Sequence, residues 1–391
     1  MVPNGWEVTT LGEHVDISSG YSPSKYVLAE SGSFPFVKVE DMNNCEKYQS
    51  ISRTYTETNG SPIGKGAVIF PKRGAAIMNN KVRITDVPMY LDTNMMALTP
   101  KKSVFYEYLY YTLIKEELHK IADTSTIPQI NNKHILPYRF KLPPLPEQRK
   151  IAKILSTWDK AISTTEKLIE TSKQQKKALM QQLLTGKKRL VNPETGKVFE
   201  GEWEEFKLGE LFAERVETKR DDLPLLSITS SDGVVYQEDT GRKNTSNDDK
   251  SKYRRICVND IGYNTMRMWQ GRSSISNKEG IVSPAYTILI PQQNVAPMYA
   301  SYLFKLPRLV HVFERNSQGL VSDTWNLKYP HFAKIKWSFP CLKEQQKIAA
   351  ILTAADKEIE VLEAKLSHFK QEKKALMQQL LTGKRRVSLS S

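Results

Sequence analysis

Apolar residues follow distinct rhythms along this 391-residue chain. From Trp6 to about Pro143, short apolar runs alternate with turn residues. Residues 34–39 and 67–70 carry the branched and aromatic side chains of strands, and Gly60-Ser61-Pro62 and Pro71-Lys72-Arg73-Gly74 supply bounding turns. Residues 106–121 switch to helical spacing, with Tyr106, Leu109, Tyr110, Leu113 and Leu118 on one side. Residues 135–142 predict a closing strand that Pro143-Pro144 ends. The same order returns after Trp203. Residues 225–228, 260–264 and 285–290 predict strands, 298–313 a helix that Pro307 must break or kink, and 334–339 the last strand. Each stretch reads as a mixed α+β module.

Residues 147–187 and 344–384 differ from both modules. Neither contains Pro, and their first glycines, Gly186 and Gly383, fall where a C-cap belongs, followed by Lys187-Lys188-Arg189 and Lys384-Arg385-Arg386. Each predicts a helix of about 38 residues, roughly 57 Å long. Apolar residues three and four apart draw a seam through Leu155, Trp158, Ile162, Ile169, Leu179 and Leu183. The matching seam runs through Leu352, Ile359, Leu362, Leu366, Phe369, Leu376 and Leu380. Lys176 and Lys373 interrupt the seams at the same place and are expected to snorkel to solvent. Packing the helices as an antiparallel coiled coil buries both seams. It also places a module at each end and sets Trp158 against a neighbour the size of Ala355.

These helices are a repeat. Residues 147–187 and 344–384 align without a gap at an offset of 197, with 25 of 41 positions identical. The same offset pairs Trp6 with Trp203, Leu11-Gly12-Glu13 with Leu208-Gly209-Glu210, and Pro143 with Pro340. The stretches between these anchors are barely alike. The expected organisation is a first module over 1–146, a helix over 147–187, a linker over 188–202, a second module over 203–343 and a second helix over 344–386. Repeated joints around unlike bodies suggest one kind of partner held twice and two different things read.

Charge sharpens this. The net charge is +14, which favours a polyanion through long-range attraction and counterion release. Chemistry is harder to find. There is no G-x-G-x-x-G, no Walker A loop, and the Pro143-Pro144 pair lacks the polar and aromatic neighbours of an adenine methyltransferase loop. The acidic pairs Asp221-Asp222 and Asp248-Asp249 lie in polar loops, and the six histidines show no ligand spacing. The expectation is a non-catalytic binding protein without metal or cofactor. Cys45, Cys257 and Cys341 are scattered and odd in number, which suggests a reducing cytoplasm. No apolar run is long enough to span a membrane, and the first residues lack a signal pattern.

The P-P-L-P-E-Q-R-K-I-A-x-I-L opening of the first repeat, the A-L-M-Q-Q-L-L-T-G-K endings and the W-x-x-x-x-L-G-E starts at Trp6 and Trp203 together resemble the specificity subunit of type I restriction–modification systems. The resemblance covers the whole chain. It implies two target recognition domains, each reading one half of a split, asymmetric double-stranded DNA site, with the helices setting the unread spacer. It also implies docking of two methyltransferase subunits and, through them, of restriction/translocase subunits. S-adenosylmethionine, ATP and Mg would then belong to those partners.

Base edges call for Arg, Lys, Asn, Gln, Ser or Thr on loops that enter the major groove, and phosphates for cations and small polar groups. In the first module the candidates are Lys72, Arg73, Asn79, Asn80, Lys81 and Arg83, then Gln129, Asn131, Asn132 and Lys133. In the second they are Asn264, Thr265, Arg267 and Arg272, then Gln318, Ser322, Trp325, Asn326 and Lys328. Met266, Met268 and Trp269 suit a thymine methyl or an extruded base, but read more readily as local core. The basic helix faces (Arg149, Lys150, Lys153, Lys160, Lys347, Lys357) offer contacts to a DNA backbone. The rival reading is a coiled-coil adaptor bridging two copies of a partner protein, which leaves the basic, amide-rich loops unexplained.

Overall fold

The computed structural model describes residues 2–389 apart from 58–59, 124–126, 230–232, 242–245, 247 and 321–323. It divides into two compact units, Met1–Glu166 with Ala364–Ser391, and Lys167–Glu363. Each unit therefore holds the head of one long helix and the tail of the other.

The main elements of the first unit are β1 (Glu7–Thr10), β2 (Val15–Ser19), β3 (Tyr48–Gln49), β4 (Val68–Pro71), β5 (Arg83–Thr85), β6 (Met95–Pro100), α1 (Tyr106–Glu116), α2 (Asn132–Ile135), β7 (Arg139–Leu142) and the head of α3 (Leu145–Leu183). A five-stranded sheet has the order β2-β6-β4-β5-β3. β4 is buried throughout because both its faces are covered. Val68 and Phe70 join the large core with Tyr108, Leu109 and Tyr111 of α1, while Ile69 joins a smaller cluster with Val37, Met42 and Leu91.

Two local departures from the sequence reading have visible causes. The helix expected over 106–121 stops at Glu116 because Glu117 takes φ 62°, and only a turn, Leu118–Ile121, follows. Asn80 fixes this corner, accepting the Leu118 N–H and donating to the Ile114 carbonyl, both at 2.9 Å. The closing strand begins at Arg139, since the residues before it form α2.

The second unit contains β8 (Glu204–Lys207), β9 (Phe212–Glu214), β10 (Ile261–Asn264), β11 (Ser273–Ile275), β12 (Tyr286–Pro291), α4 (Pro297–Leu303), α5 (Pro307–Asn316), α6 (Tyr329–Phe332), β13 (Lys336–Phe339) and the head of α7 (Leu342–Leu380). Its four-stranded antiparallel sheet has the order β9-β12-β10-β11. Pro307 does break the expected helix, standing in the first turn of α5, where a missing N–H costs nothing.

The repeated anchors have structural reasons. β1 pairs with β7 in the register Glu7↔Leu142 to Thr10↔Arg139, and β8 with β13 from Glu204↔Phe339 to Lys207↔Lys336, the same register one repeat later. The Leu-Gly-Glu turn that follows must pass close to backbone. Gly12 N–H donates to the Leu136 carbonyl at 3.1 Å and Gly209 N–H to the Ala333 carbonyl at 3.0 Å. A Cβ at Gly209 would lie 2.8 Å from the Ala333 Cβ, and one at Gly12 2.9 Å from Leu136 Cδ2. Gly186 and Gly383 take φ 69° and 71°, the left-handed C-caps their positions demanded.

Each joint between module and helix is made by the Glu-Gln pair. Gln148 accepts the Phe105 N–H at 2.7 Å and donates to the carbonyls of Ser103 and Pro143. Gln345 makes the same three bonds to Ala296, Asn294 and Pro340. Glu147 and Glu344, both buried, are gripped by arginines from the end of the other repeat, Arg386 and Arg189.

Head and tail are antiparallel in each unit, and their ion pairs match across the repeat. The first unit pairs Asp159 with Lys373 at 2.5 Å and Glu166 with Lys370 at 2.8 Å. The second pairs Asp356 with Lys176, and Glu363 with Lys173 at 2.6 Å. Tyr111 donates to Asp159, and Tyr302 to Asp356. The seam lysines therefore do not snorkel. Each is half-buried and held by an aspartate that a tyrosine also grips, which fixes the register of the pair. Along the seams Leu155, Ile169, Leu183, Leu352, Ile359 and Leu380 are buried, while Trp158, Ile162, Leu179, Leu362, Leu366, Phe369 and Leu376 are half-buried. Trp158 corrects a second expectation. It meets Phe369 edge-on, with ring centroids 5.5 Å apart. Large packs on large in the first unit, while the corresponding positions of the second carry Ser172 and Ala355.

Candidate nucleic-acid interface

Each unit brings its two candidate loops together the same way. The loop that leaves the central strand docks on the segment ahead of the helical turn that leads into the closing strand. In the first unit the loop after β4 is tied down by two bonds. Ile130 N–H donates to the Lys72 carbonyl at 2.9 Å, and Gly74 N–H to the Pro128 carbonyl at 3.0 Å. This brings the two candidate sets of that module together. Arg73 pairs across the junction with Gln129 as an antiparallel bridge. With the amide turned so that its oxygen faces Arg73, that oxygen accepts from Nη2 at 3.1 Å and Nε at 3.2 Å. Burial, and then the neighbouring charge of Arg73, push the Lys72 ammonium below the usual lysine range. A bound phosphate would relieve the repulsion.

Arg73, Asn79, Asn132 and Lys133 are exposed, and Asn131 caps α2. Lys81 is half-buried and donates to the Asn43 side chain at 2.6 Å. Two candidates serve the fold instead. Both amide atoms of Asn80 are bonded to backbone. The Arg83 guanidinium donates to the carbonyls of Cys45, Val82 and Met42 at 2.8–2.9 Å, leaving little of its fork for a base.

In the second unit the turn after β10 lies against residues 325–328. Leu327 N–H donates to the Thr265 carbonyl at 2.8 Å, and Thr265 Oγ1 to the Ala285 carbonyl at 3.0 Å. Asn264 is half-buried, and its side-chain oxygen accepts the Met266 N–H at 3.0 Å. Trp269 and Trp325 pack edge to face, their centroids 5.6 Å apart, and Met268 is fully buried. Met268 and Trp269 thus brace the loop. Asn326 and Gln318 exchange backbone bonds at 2.8 Å in both directions. Arg267, Arg272, Gln318 and Lys328 are exposed. Ser322 lies outside the described residues.

On the helices Arg149, Lys153, Lys160, Lys347 and Lys357 are exposed, and the Arg149 guanidinium lies 4.9 Å from the Phe105 ring centre. A second surface went unremarked in the sequence reading. Gln174, Lys177, Ala178, Gln181 and Gln182 are exposed on the tail of α3, and their repeats Gln371, Lys374, Ala375, Gln378 and Gln379 are exposed on the tail of α7. They fall on one helix face and are identical in both copies. The signal was present in the sequence, since the fold has no need of identity at exposed positions.

Two modules with one strand frame, each bringing two candidate loops together, define a tandem-repeat protein. The sequence family described as "Type I restriction modification DNA specificity domain" matches residues 3–173 and again 200–370, and the chain belongs to it. It is 26% identical over 422 aligned positions to the type I restriction enzyme MjaVIII specificity subunit of Methanocaldococcus jannaschii, covering 99% of this chain and 94% of that one. Among solved structures, the S subunit of a type I restriction–modification system from M. genitalium has a TM-score of 0.58 at 14% identity, covering 100% of this chain and 99% of that one. A chain solved in a study of assembly and conformational transition of the type I system has a TM-score of 0.60 at 15% identity, covering 98% of this chain and all of that one. At such identities the structural likeness concerns the fold.

Proposed function

We propose that this chain is the DNA-recognition subunit of a type I restriction–modification complex and performs no catalytic step itself. Each unit reads one half of a bipartite, asymmetric site on double-stranded DNA. The observation that carries this reading is the pairing of one scaffold, repeated in register, with two unlike basic loop pairs: 72–83 with 129–133, and 264–272 with 318–320 and 324–328. Base identity is a matter of side chains on a fixed frame. The identical exposed faces on the two helix tails give the partner side of the reading, since a subunit that docks twice must meet the same residues twice. That subunit is a methyltransferase, present in two copies and bringing S-adenosylmethionine. Restriction/translocase subunits, with ATP and Mg, join through it, in the cytoplasm. The test is a pair of variants, one with Arg73 and Gln129 changed to Ala and one with Arg267 and Arg272 changed to Ala, each expressed with the methyltransferase. Each should relax one half of the methylated motif and leave the other intact. Loss of both halves in a folded variant, or of neither, would contradict a division of labour between the units.

A further inference from the structure

Met266 is the least expected residue in the second unit's loop. It is 48% exposed at the tip of a turn that is otherwise fixed. Asn264 Oδ1 holds its N–H at 3.0 Å, and its carbonyl accepts the Trp269 indole N–H at 3.0 Å. Trp269 is braced in turn by Trp325. An apolar side chain displayed on so rigid a mount is poised for contact, with little ordering cost still to be met on binding. Its neighbours add a second signal. Arg215, Arg220, Arg254 and Arg255 of this unit are all held by carboxylates. Among the described residues no carboxylate pairs with Arg267 or Arg272, both exposed.

An exposed methyl-bearing side chain beside an unpaired guanidinium matches a particular pattern of the major groove. Thymine is the base that presents a methyl group there, and guanine presents the O6 and N7 acceptors that fit an arginine fork. Consecutive Cα atoms are about 3.8 Å apart, close to the roughly 3.4 Å rise between base pairs. We propose that Met266 packs on a thymine methyl and Arg267 donates two N–H groups to the guanine of an adjacent base pair, so that the half-site read by the second unit contains that step. This rests on the second unit being a DNA reader, as argued above.

The test titrates the full chain, by fluorescence anisotropy, with duplexes carrying the site selected from random DNA. Every thymine is replaced in turn by deoxyuridine, which lacks only the methyl, and every guanine by 7-deazaguanine, which lacks the N7 acceptor. One deoxyuridine should weaken binding by about fourfold, as for one buried methyl group. That loss should vanish in Met266→Ala. A neighbouring 7-deazaguanine should weaken binding by about tenfold in the wild type and have no further effect in Arg267→Gln. Both side chains are exposed, so melting temperatures should hold and report that the variants fold. Site-specific binding with every deoxyuridine duplex bound as tightly as its thymine parent would overturn the proposal and leave the DNA reading standing. Failure of the chain to prefer any selected duplex over random DNA would overturn both.

Discussion

Removing Arg189 tests the joint that holds the second module to the helices. Glu344 is 0% exposed, and Arg189 meets both its oxygens at 2.8 Å. Arg189→Met leaves a buried carboxylate without its cation, which costs about 3–5 kcal/mol when nothing replaces it. Glu344 lies in the first turn of α7, whose N-terminal amides return up to about 1 kcal/mol. The expected loss is therefore about 2–4 kcal/mol, or a fall of roughly 6–12 °C in the melting temperature of a unit this size. Adding Glu344→Gln to the same variant should recover about half, because the stranded charge is then gone. Lys343→Met is the control. Its pair with Glu194 is exposed at 64% and 62%, and such pairs contribute less than about 1 kcal/mol. Calorimetry of the full chain reads all three. The first unit should suffer less from Arg386→Met, since Glu147 also accepts the Trp6 indole N–H at 3.0 Å, whereas the Trp203 indole N–H has no partner among the described residues. A loss from Arg189→Met no larger than that from Lys343→Met would refute the reasoning.

Gly209→Ala should destabilise by about 1–3 kcal/mol through overpacking against Ala333, read as a lower denaturant midpoint, with Gly12→Ala close behind. Lys141 donates to the Thr382 carbonyl at 2.8 Å at the end of α7, while Ser338 occupies the equivalent place in the second unit, so Lys141→Ser should lower stability by about 1 kcal/mol, measured by urea unfolding. Burial raises the Asp41 carboxyl, but bonds from Arg53 and the backbone outweigh it and hold the group below the usual aspartate range. Its stabilisation is then present above the unfolded value near 3.8 and lost as pH falls through the lower folded value, so Asp41→Asn should flatten the acid limb of a stability–pH curve. Lys72→Gln should weaken DNA binding alike for all sequences and reduce the salt slope by about one.

The repeat made the architecture legible. An offset of 197 with preserved Trp, Leu-Gly-Glu and Pro anchors implied one frame used twice, and the matched strand registers follow from it. The seam pattern located both helices, but not how the lysines are held, because Asp159 and Asp356 lie beside the apolar stripe and the tyrosines that grip them, Tyr111 and Tyr302, come from outside the helices and leave no periodicity. Trp158 was misjudged for a related reason. The seam says what faces inward, while the partner depends on a register that only the Asp–Lys pairs fix. Turn chemistry hid α2 and the corner at Glu117. At the candidate interface, residue type picked out loops that the fold brings together, but it did not separate Arg73 and Arg267, which are exposed, from Arg83, which braces backbone.

The central claim is that this chain dictates where a methyltransferase acts. Its most direct test is the methylome of cells expressing the chain with its methyltransferase, compared with cells lacking only the chain. A split motif, methylated on adenine in two short blocks around unread bases and present only with the chain, is the expected result. An unchanged methylome, with the methyltransferase folded and bound to the chain, would contradict the account and leave an adaptor that bridges two copies of its partner.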